Sequence, residues 1–248
     1  VRVARGSRAK PATGEERAMS ELDVRSFTVG PVQENAYIVR RAGATDAVLI
    51  DPGDEPDRLL RAIEDLGVQI EAILITHCHF DHIGAVAPLA RATGAPVYCP
   101  EIERPVLEDI RLGTPPGFGP FENYVPEHTL AGGESLKLAD LDIEVLLTPG
   151  HSPGHLTFSL PAHGAILSGD VLFQGSIGRT DLPFADHPTL ERTLETLVRT
   201  LPPETTVYPG HMGITTIGRE LATNPFLFEL RPDRSVTPPA PVRGTGGR

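Results

Sequence analysis

Cysteine is scarce in this 248-residue chain, with only Cys78 and Cys99. Two cysteines exclude a disulfide framework and suit a reducing cytosol. Long apolar runs are missing too. The longest clean ones, Ala47-Val48-Leu49-Ile50 and Ile73-Leu74-Ile75, are strand-sized and far short of the ~18 residues a membrane span needs. The first twenty residues hold Arg2, Arg5, Arg8, Lys10 and Arg17 but no apolar block, so they do not read as a secretory signal. Basic charge is thin away from the ends. Nine of the 22 Lys and Arg lie in 1–20 and 231–248, against three of the 33 Asp and Glu. The formal net charge is −11, and the body between the ends is more acidic still. Such a body repels phosphate backbones, which excludes a general nucleic-acid binder. The expectation is a cytoplasmic protein, monomer or homodimer, with neither nucleic acid nor membrane as partner.

The ends lack hydrophobic periodicity. Residues 1–20 are polar, and 231–248 are rich in Pro, Gly and Arg. Both read as disordered tails around one domain over 21–230. Met19, just before the first strand pattern, is a second candidate for the start of translation. Within the body, strands are expected at Leu22 to Val29, Asn35 to Arg40, Ala47 to Ile50, Ile70 to Thr76 and Val97 to Cys99. Further strands are expected at 136–138, 143–148, 156–160, 165–168 and 206–208. Asp54 is the candidate cap of a helix from Pro56 to Leu66, ended by Gly67. Other helices are expected near 84–93, 189–199 and 218–223. Residues 113–127 hold four prolines and three glycines and read as a long surface loop. Strands in groups with helices between them make a mixed α/β pattern.

Five histidines follow strand patterns in turns marked by Gly, Pro or a carboxylate. At the centre stands Thr76-His77-Cys78-His79-Phe80-Asp81-His82. Three imidazoles and a carboxylate so close together would repel or desolvate one another unless a cation holds them. Neutral imidazole and carboxylate are natural ligands of a divalent metal. His77 and His79 can converge on one ion, with Asp81 and His82 turned toward a second. His151, Asp170 and His211 each follow a short apolar strand and complete the set. Asp170 is the best bridge, because a carboxylate has an oxygen for each metal. His128, His155, His163 and His187 read as ordinary surface or packed residues, with His155 the candidate to orient a ligand.

With this set the chain resembles the metallo-β-lactamase superfamily, through H-x-H-x-D-H at 77–82 and then His151, Asp170 and His211 in order. Within it the chain looks most like the short glyoxalase-II-like hydrolases. The local reasons are Leu172-Phe173-Gln174-Gly175-Ser176-Ile177-Gly178-Arg179-Thr180-Asp181, Pro209-Gly210-His211, Thr215-Thr216-Ile217-Gly218-Arg219-Glu220 and Asn224-Pro225-Phe226. The resemblance implies a four-layer αββα sandwich with the metals at the edge between two mixed sheets. It implies His77, His79 and His151 on one ion, Asp81, His82 and His211 on the other, and Asp170 across both. Zinc is the first choice of metal, with iron or manganese as alternatives. Arg179 stands near a Lys that contacts glutathione in longer glyoxalase II enzymes, and Met212-Gly213 offers no aromatic after His211. The thiol carrier is therefore left open.

The chemistry expected is hydrolysis of a small-molecule thioester such as an S-2-hydroxyacyl thiol. Two metals ~3.5–4 Å apart can hold a bridging hydroxide at neutral pH. Asp81 would orient it, and Asp170 would hold both ions. A thiolate, with a pKa near 8.5, leaves with little acid help. Cys78 sits between two ligands and reads as filler rather than nucleophile. Arg179 is the candidate clamp for a substrate carboxylate, or else the partner of Asp181. Tyr124 and Phe118 on the long loop are candidates to cover the substrate, or else simply pin the loop. The rival readings are a mononuclear iron persulfide dioxygenase and a lactonase of the same fold. A β-lactamase, a nuclease and a non-enzymatic binding module fit less well.

Overall fold

The computed structural model describes residues 21–230, so both expected tails lie outside the described residues. Two six-stranded sheets and six α-helices make up the body. The first sheet runs in sequence order: β1 (Leu22–Val29), β2 (Glu34–Arg41), β3 (Asp46–Ile50), β4 (Gln69–Leu74), β5 (Val97–Pro100) and β6 (His128–Leu130). β1 to β3 are antiparallel, and β3 to β6 are parallel. Parallel neighbours need crossovers. These carry α1 (Pro56–Leu66), α2 (Phe80–Ile83) with α3 (Val86–Thr93), and α4 (Arg104–Glu108).

The second sheet holds β7 (Ser135–Leu138), β8 (Leu141–Leu147), β9 (Leu156–Leu160), β10 (Ala165–Gly169), β13 (Thr206–Pro209) and β14 (Thr215–Thr216). Its order is β14-β13-β10-β9-β8-β7. A small hairpin, β11 (Leu172–Phe173) with β12 (Ser176–Ile177), follows β10. α5 (His187–Thr200) joins β12 to β13, and α6 (Ile217–Thr223) follows β14.

The layers follow from strand alternation, since successive side chains point to opposite faces. On β2 and β3, Ile38, Ala47 and Leu49 pack with Leu59, Ile63, Val86 and Leu89 of the first helical layer. Their neighbours Tyr37, Val39, Val48 and Ile50 face Ile143, Val145, Leu156 and Phe158 between the sheets. On β10, Leu167 faces the inter-sheet core, whereas Ile166 packs with Leu190, Leu194, Leu197 and Ile217 of the second helical layer. The order is helix, sheet, sheet, helix, and strands buried on both faces explain the near-continuous apolar runs. Among the described residues, no helix is long and apolar enough to cross a membrane.

One local expectation is corrected. Asp54 does not cap α1. Glu55 holds the cap position at φ 52°, and Asp54 Oδ1 accepts only the Glu55 N–H, at 2.7 Å. The helix expected near 84–93 is α3, Val86–Thr93, ended by Gly94, and the short α2 before it, Phe80–Ile83, was not anticipated. That short helix places Asp81 and His82 on a helical turn. α4, β6 and the β11–β12 hairpin are too short to carry a periodic signal. Residues 113–127 do form an irregular segment.

Candidate metal centre

Each expected ligand sits just past a strand end. β4 runs into Ile75-Thr76, and then His77 and His79 lie in the turn, with Asp81 and His82 on α2. From the second sheet come His151 after β8, Asp170 directly after β10, and His211 after β13. The close approach of the last turn depends on Gly210. A Cβ there would lie 2.3 Å from Asp170 Oδ1 and 2.7 Å from His82 Cε1.

Among the described residues, three groups are compact enough to hold a metal ion: the two expected trios, His77 with His79 and His151, and Asp81 with His82 and His211, and a third, Asp51 with His77 and His82, that borrows one ring from each. In the first, His79 Nδ1 lies 3.0 Å from His77 Nε2 and 2.8 Å from His151 Nε2. In the second, Asp81 Oδ2 lies 3.3 Å from His211 Nε2 and 3.8 Å from His82 Nε2. Asp170 faces both. Its Oδ1 is 3.4 Å from His82 Nε2, and its Oδ2 is 3.5 Å from both His151 Nε2 and His211 Nε2.

The outward nitrogens settle the tautomers. His82 Nδ1 donates to Asp51 Oδ2 at 3.0 Å, His151 Nδ1 to the Arg179 carbonyl at 2.8 Å, and His211 Nδ1 to the Gln33 carbonyl at 3.3 Å. The Thr76 hydroxyl donates to Asp51 Oδ2 at 2.6 Å and so accepts from His77 Nδ1 at 3.0 Å. With its proton committed outward, each of these four rings turns a bare Nε2 inward. His155, fully buried, accepts the Asp170 N–H on Nε2 at 3.0 Å and meets the Thr148 hydroxyl with Nδ1 at 2.9 Å. It orients the backbone of the carboxylate that faces both trios.

Burial, followed by the neighbouring imidazoles, holds His77 well below the usual histidine range and His79 down at about 4. Burial would raise the Asp170 pKa, but His82, His211 and His151 hold it far below the carboxylate range. Burial would lower the His82 pKa, yet Asp170 and Asp81 raise it well above the ordinary value. These carboxylates favour a positive charge among them. Among the described residues, His82 Nε2 and Asp170 Oδ1 are buried with no hydrogen-bond partner. Bare inward nitrogens, unpartnered buried atoms and a demand for positive charge fit divalent ions at both trios.

Sequence reasoning missed Asp51 and Glu34. Asp51 follows β3 directly, the same position relative to a strand that singled out Asp170, and it accepts from Thr76 N as well as from Thr76 Oγ1 and His82. Glu34 is fully buried, 3.7 Å from His82 Nδ1, and burial pushes its carboxyl well above the usual range. Of the residues expected at substrate, Arg179 donates from Nε and Nη2 to Asp181 at 2.7 Å each, exposed beside the centre. Phe118 packs against Phe80 with ring centroids 4.5 Å apart and planes inclined at 46°, and lines a cavity of about 430 Å³ with Pro31, Gly84 and Phe121. Tyr124 packs on the first helical core and donates to Glu127 Oε1 at 2.9 Å. Cys78 is buried with its Sγ 3.5 Å from Cys99 Sγ, and burial pushes its thiol pKa well up. His128 stacks on Tyr98, while His163 and His187 lie near the surface.

Comparison with known proteins places these observations in a wider set. The family model described as metallo-beta-lactamase superfamily matches residues 29–211. Hydroxyacylglutathione hydrolase GloC of Haemophilus influenzae is 37% identical over 213 residues, covering 83% of this chain and 98% of that protein. The crystal structure of BLEG-1 B3 metallo-beta-lactamase is 38% identical with a TM-score of 0.79, covering 83% of this chain and 99% of that one. The crystal structure of TTHA1623 in a di-iron-bound form is 44% identical with a TM-score of 0.70, covering 82% of this chain and all of that one.

Proposed function

The chain belongs to the metallo-beta-lactamase superfamily, and we propose that within it the protein is a binuclear thioester hydrolase of the glyoxalase-II type, cleaving an S-2-hydroxyacyl thiol. Membership, with the similarity to a hydrolase, supports a metal-dependent hydrolase of this fold. One observation carries the binuclear reading: four histidines spend Nδ1–H outward and turn Nε2 inward, into two trios that share Asp170. The similarity to GloC supports the acyl class, and that to the di-iron form of TTHA1623 supports two ions. We assign zinc first, with iron or manganese as alternatives. Two free, buried cysteines suit a cytoplasmic setting.

His77, His79 and His151 would hold one ion, Asp81, His82 and His211 the other, and Asp170 both. Ions there would supply Lewis acidity for a carbonyl oxygen and would lower the pKa of water toward neutrality. The chain does the rest. The Asp81 carboxylate, still partly exposed, accepts a hydrogen bond from the attacking water and orients it. Asp51, through Thr76 and directly, keeps His77 and His82 in the tautomer that faces inward. His155 fixes Asp170. A departing thiolate needs little protonation, so no side-chain acid is required. Arg179 clamps a substrate carboxylate and Phe118 covers the acyl group, whereas Tyr124 pins its loop.

The test uses the full chain loaded separately with zinc, iron or manganese. It is offered an S-2-hydroxyacyl thiol, a lactone, a β-lactam and a persulfide, with oxygen uptake followed. Thiol release without oxygen consumption is expected. Oxygen consumed on the persulfide by protein holding one equivalent of iron would overturn the reading. Hydrolysis of the β-lactam ahead of the thioester would favour the second reading, a lactam hydrolase, for which the similarity to BLEG-1 speaks.

A further inference from the structure

Glu103 ends a short 3-10 turn after β5 and is only 6% exposed. A carboxylate that deep must have its oxygens satisfied. Its Oε2 accepts the Cys78 N–H at 2.6 Å. Its Oε1 accepts the Gly154 N–H at 2.9 Å and the Ser152 hydroxyl. All three donors belong to ligand-bearing turns. Cys78 lies between His77 and His79, Ser152 adjoins His151, and Gly154 is two residues further on. One turn follows a strand of the first sheet, and the other a strand of the second. The approach depends on glycine, because a Cβ at 154 would lie 2.9 Å from Glu103 Cγ and 3.1 Å from Ile102 Cβ.

We propose that Glu103 is a positioning residue for the three-histidine trio: one buried carboxylate ties the His77–His79 turn to the His151 turn and so sets the spacing of those three nitrogens. The inference rests on reading His77, His79 and His151 as ligands of one ion. The other trio is held differently, by Asp51 on His82 and the Gln33 carbonyl on His211. Loss of Glu103 therefore acts on one metal step. A general contribution to the fold would act on both steps and on melting alike.

The experiment strips the full-length protein with chelator and titrates zinc back, resolving two stepwise affinities, alongside the melting temperature of the metal-free chain. Glu103→Gln keeps the shape but presents an N–H₂ where an acceptor is needed. It is expected to weaken one step by about 10- to 100-fold, the usual effect of losing a group that orients a ligand. The other step should weaken much less, because every donor to Glu103 adjoins or lies between ligands of the three-histidine trio while Asp170, common to both, is left untouched. In a His151→Ala background, which lacks the affected step, Glu103→Gln should change the remaining step no further.

Equal weakening of both steps, no weakening of either, or a further loss in the His151→Ala background would overturn the proposal. Uptake of fewer than two ions by the unaltered protein, or two intact steps in His151→Ala, would overturn the ligand reading together with it. Should Glu103→Gln fail to fold, Ser152→Ala removes one tether only. A smaller weakening confined to the same step is then expected, and an unchanged titration would overturn the proposal.

Discussion

The Arg179 guanidinium lies fork to fork on the Asp181 carboxylate, Nε and Nη2 each 2.7 Å from an oxygen. Both side chains are well exposed, so the pair contributes little to stability. A substrate carboxylate can take the place of Asp181, since the fork binds either one in two-pronged fashion. Arg179→Ala is expected to lower kcat/KM about 10- to 100-fold on a thioester bearing a carboxylate, mostly through KM. The effect on a neutral thioester should be much smaller, and Arg179→Lys should restore only part. Steady-state kinetics on both substrates check this, with the melting temperature expected to hold steady. Equal losses on both substrates would remove the clamp.

Metal content separates the expected bridge from a ligand of one ion. Asp170 stands within 3.5 Å of nitrogens from both trios, whereas His79 belongs to one. The unaltered protein should approach two equivalents by elemental analysis. His79→Ala should fall toward one, and Asp170→Ala further, both without measurable turnover. Equal metal content in the two variants would refute the bridging role.

The Thr76 hydroxyl is a node between His77 Nδ1 and Asp51. Thr76→Val keeps the shape and leaves both neighbours short of a partner at a fully buried position. The expected cost is about 1–3 kcal/mol of stability, with weaker metal retention on dialysis. Chemical denaturation of the metal-free protein isolates the first effect. A denaturation midpoint equal to that of the unaltered chain would show that the node is idle.

Phe158 is fully buried in the core between the sheets. Phe158→Ala should destabilise by about 3–5 kcal/mol, the range for deleting a buried aromatic. Thermal melting checks this, and a shift equivalent to less than 1 kcal/mol would mean that the sheets close over the gap.

What could be read from residues alone divides along a physical line. The run from His77 to His82 is legible because three imidazoles and a carboxylate in six positions have no use in a helix or strand. The strands are legible because their apolar runs are dense. Glu103 and Asp51 were not, since their partners are a backbone N–H and side chains reached only once the strands are laid side by side. The helix Phe80–Ile83 was not legible either, because four residues are too few to show a helical period. The Asp54 cap failed because the chain enters α1 through a left-handed Glu55, whose Oε1 accepts the Gly30 N–H at 3.0 Å. That tertiary contact outweighs the local cap.

The chain crosses between the sheets at residues 131–134, from β6 to β7. Each trio draws two members from before that crossing and one from after it: His77 and His79 with His151, and Asp81 and His82 with His211. A chain cut at Gly132–Gly133 would therefore yield two fragments, neither with a full set for either ion. Zinc would favour the reassembled pair over the separate pieces, by an amount that grows with its concentration above the dissociation constant. The same arrangement that serves a reaction would make this protein a two-part reporter, with metal as the signal that the parts have met.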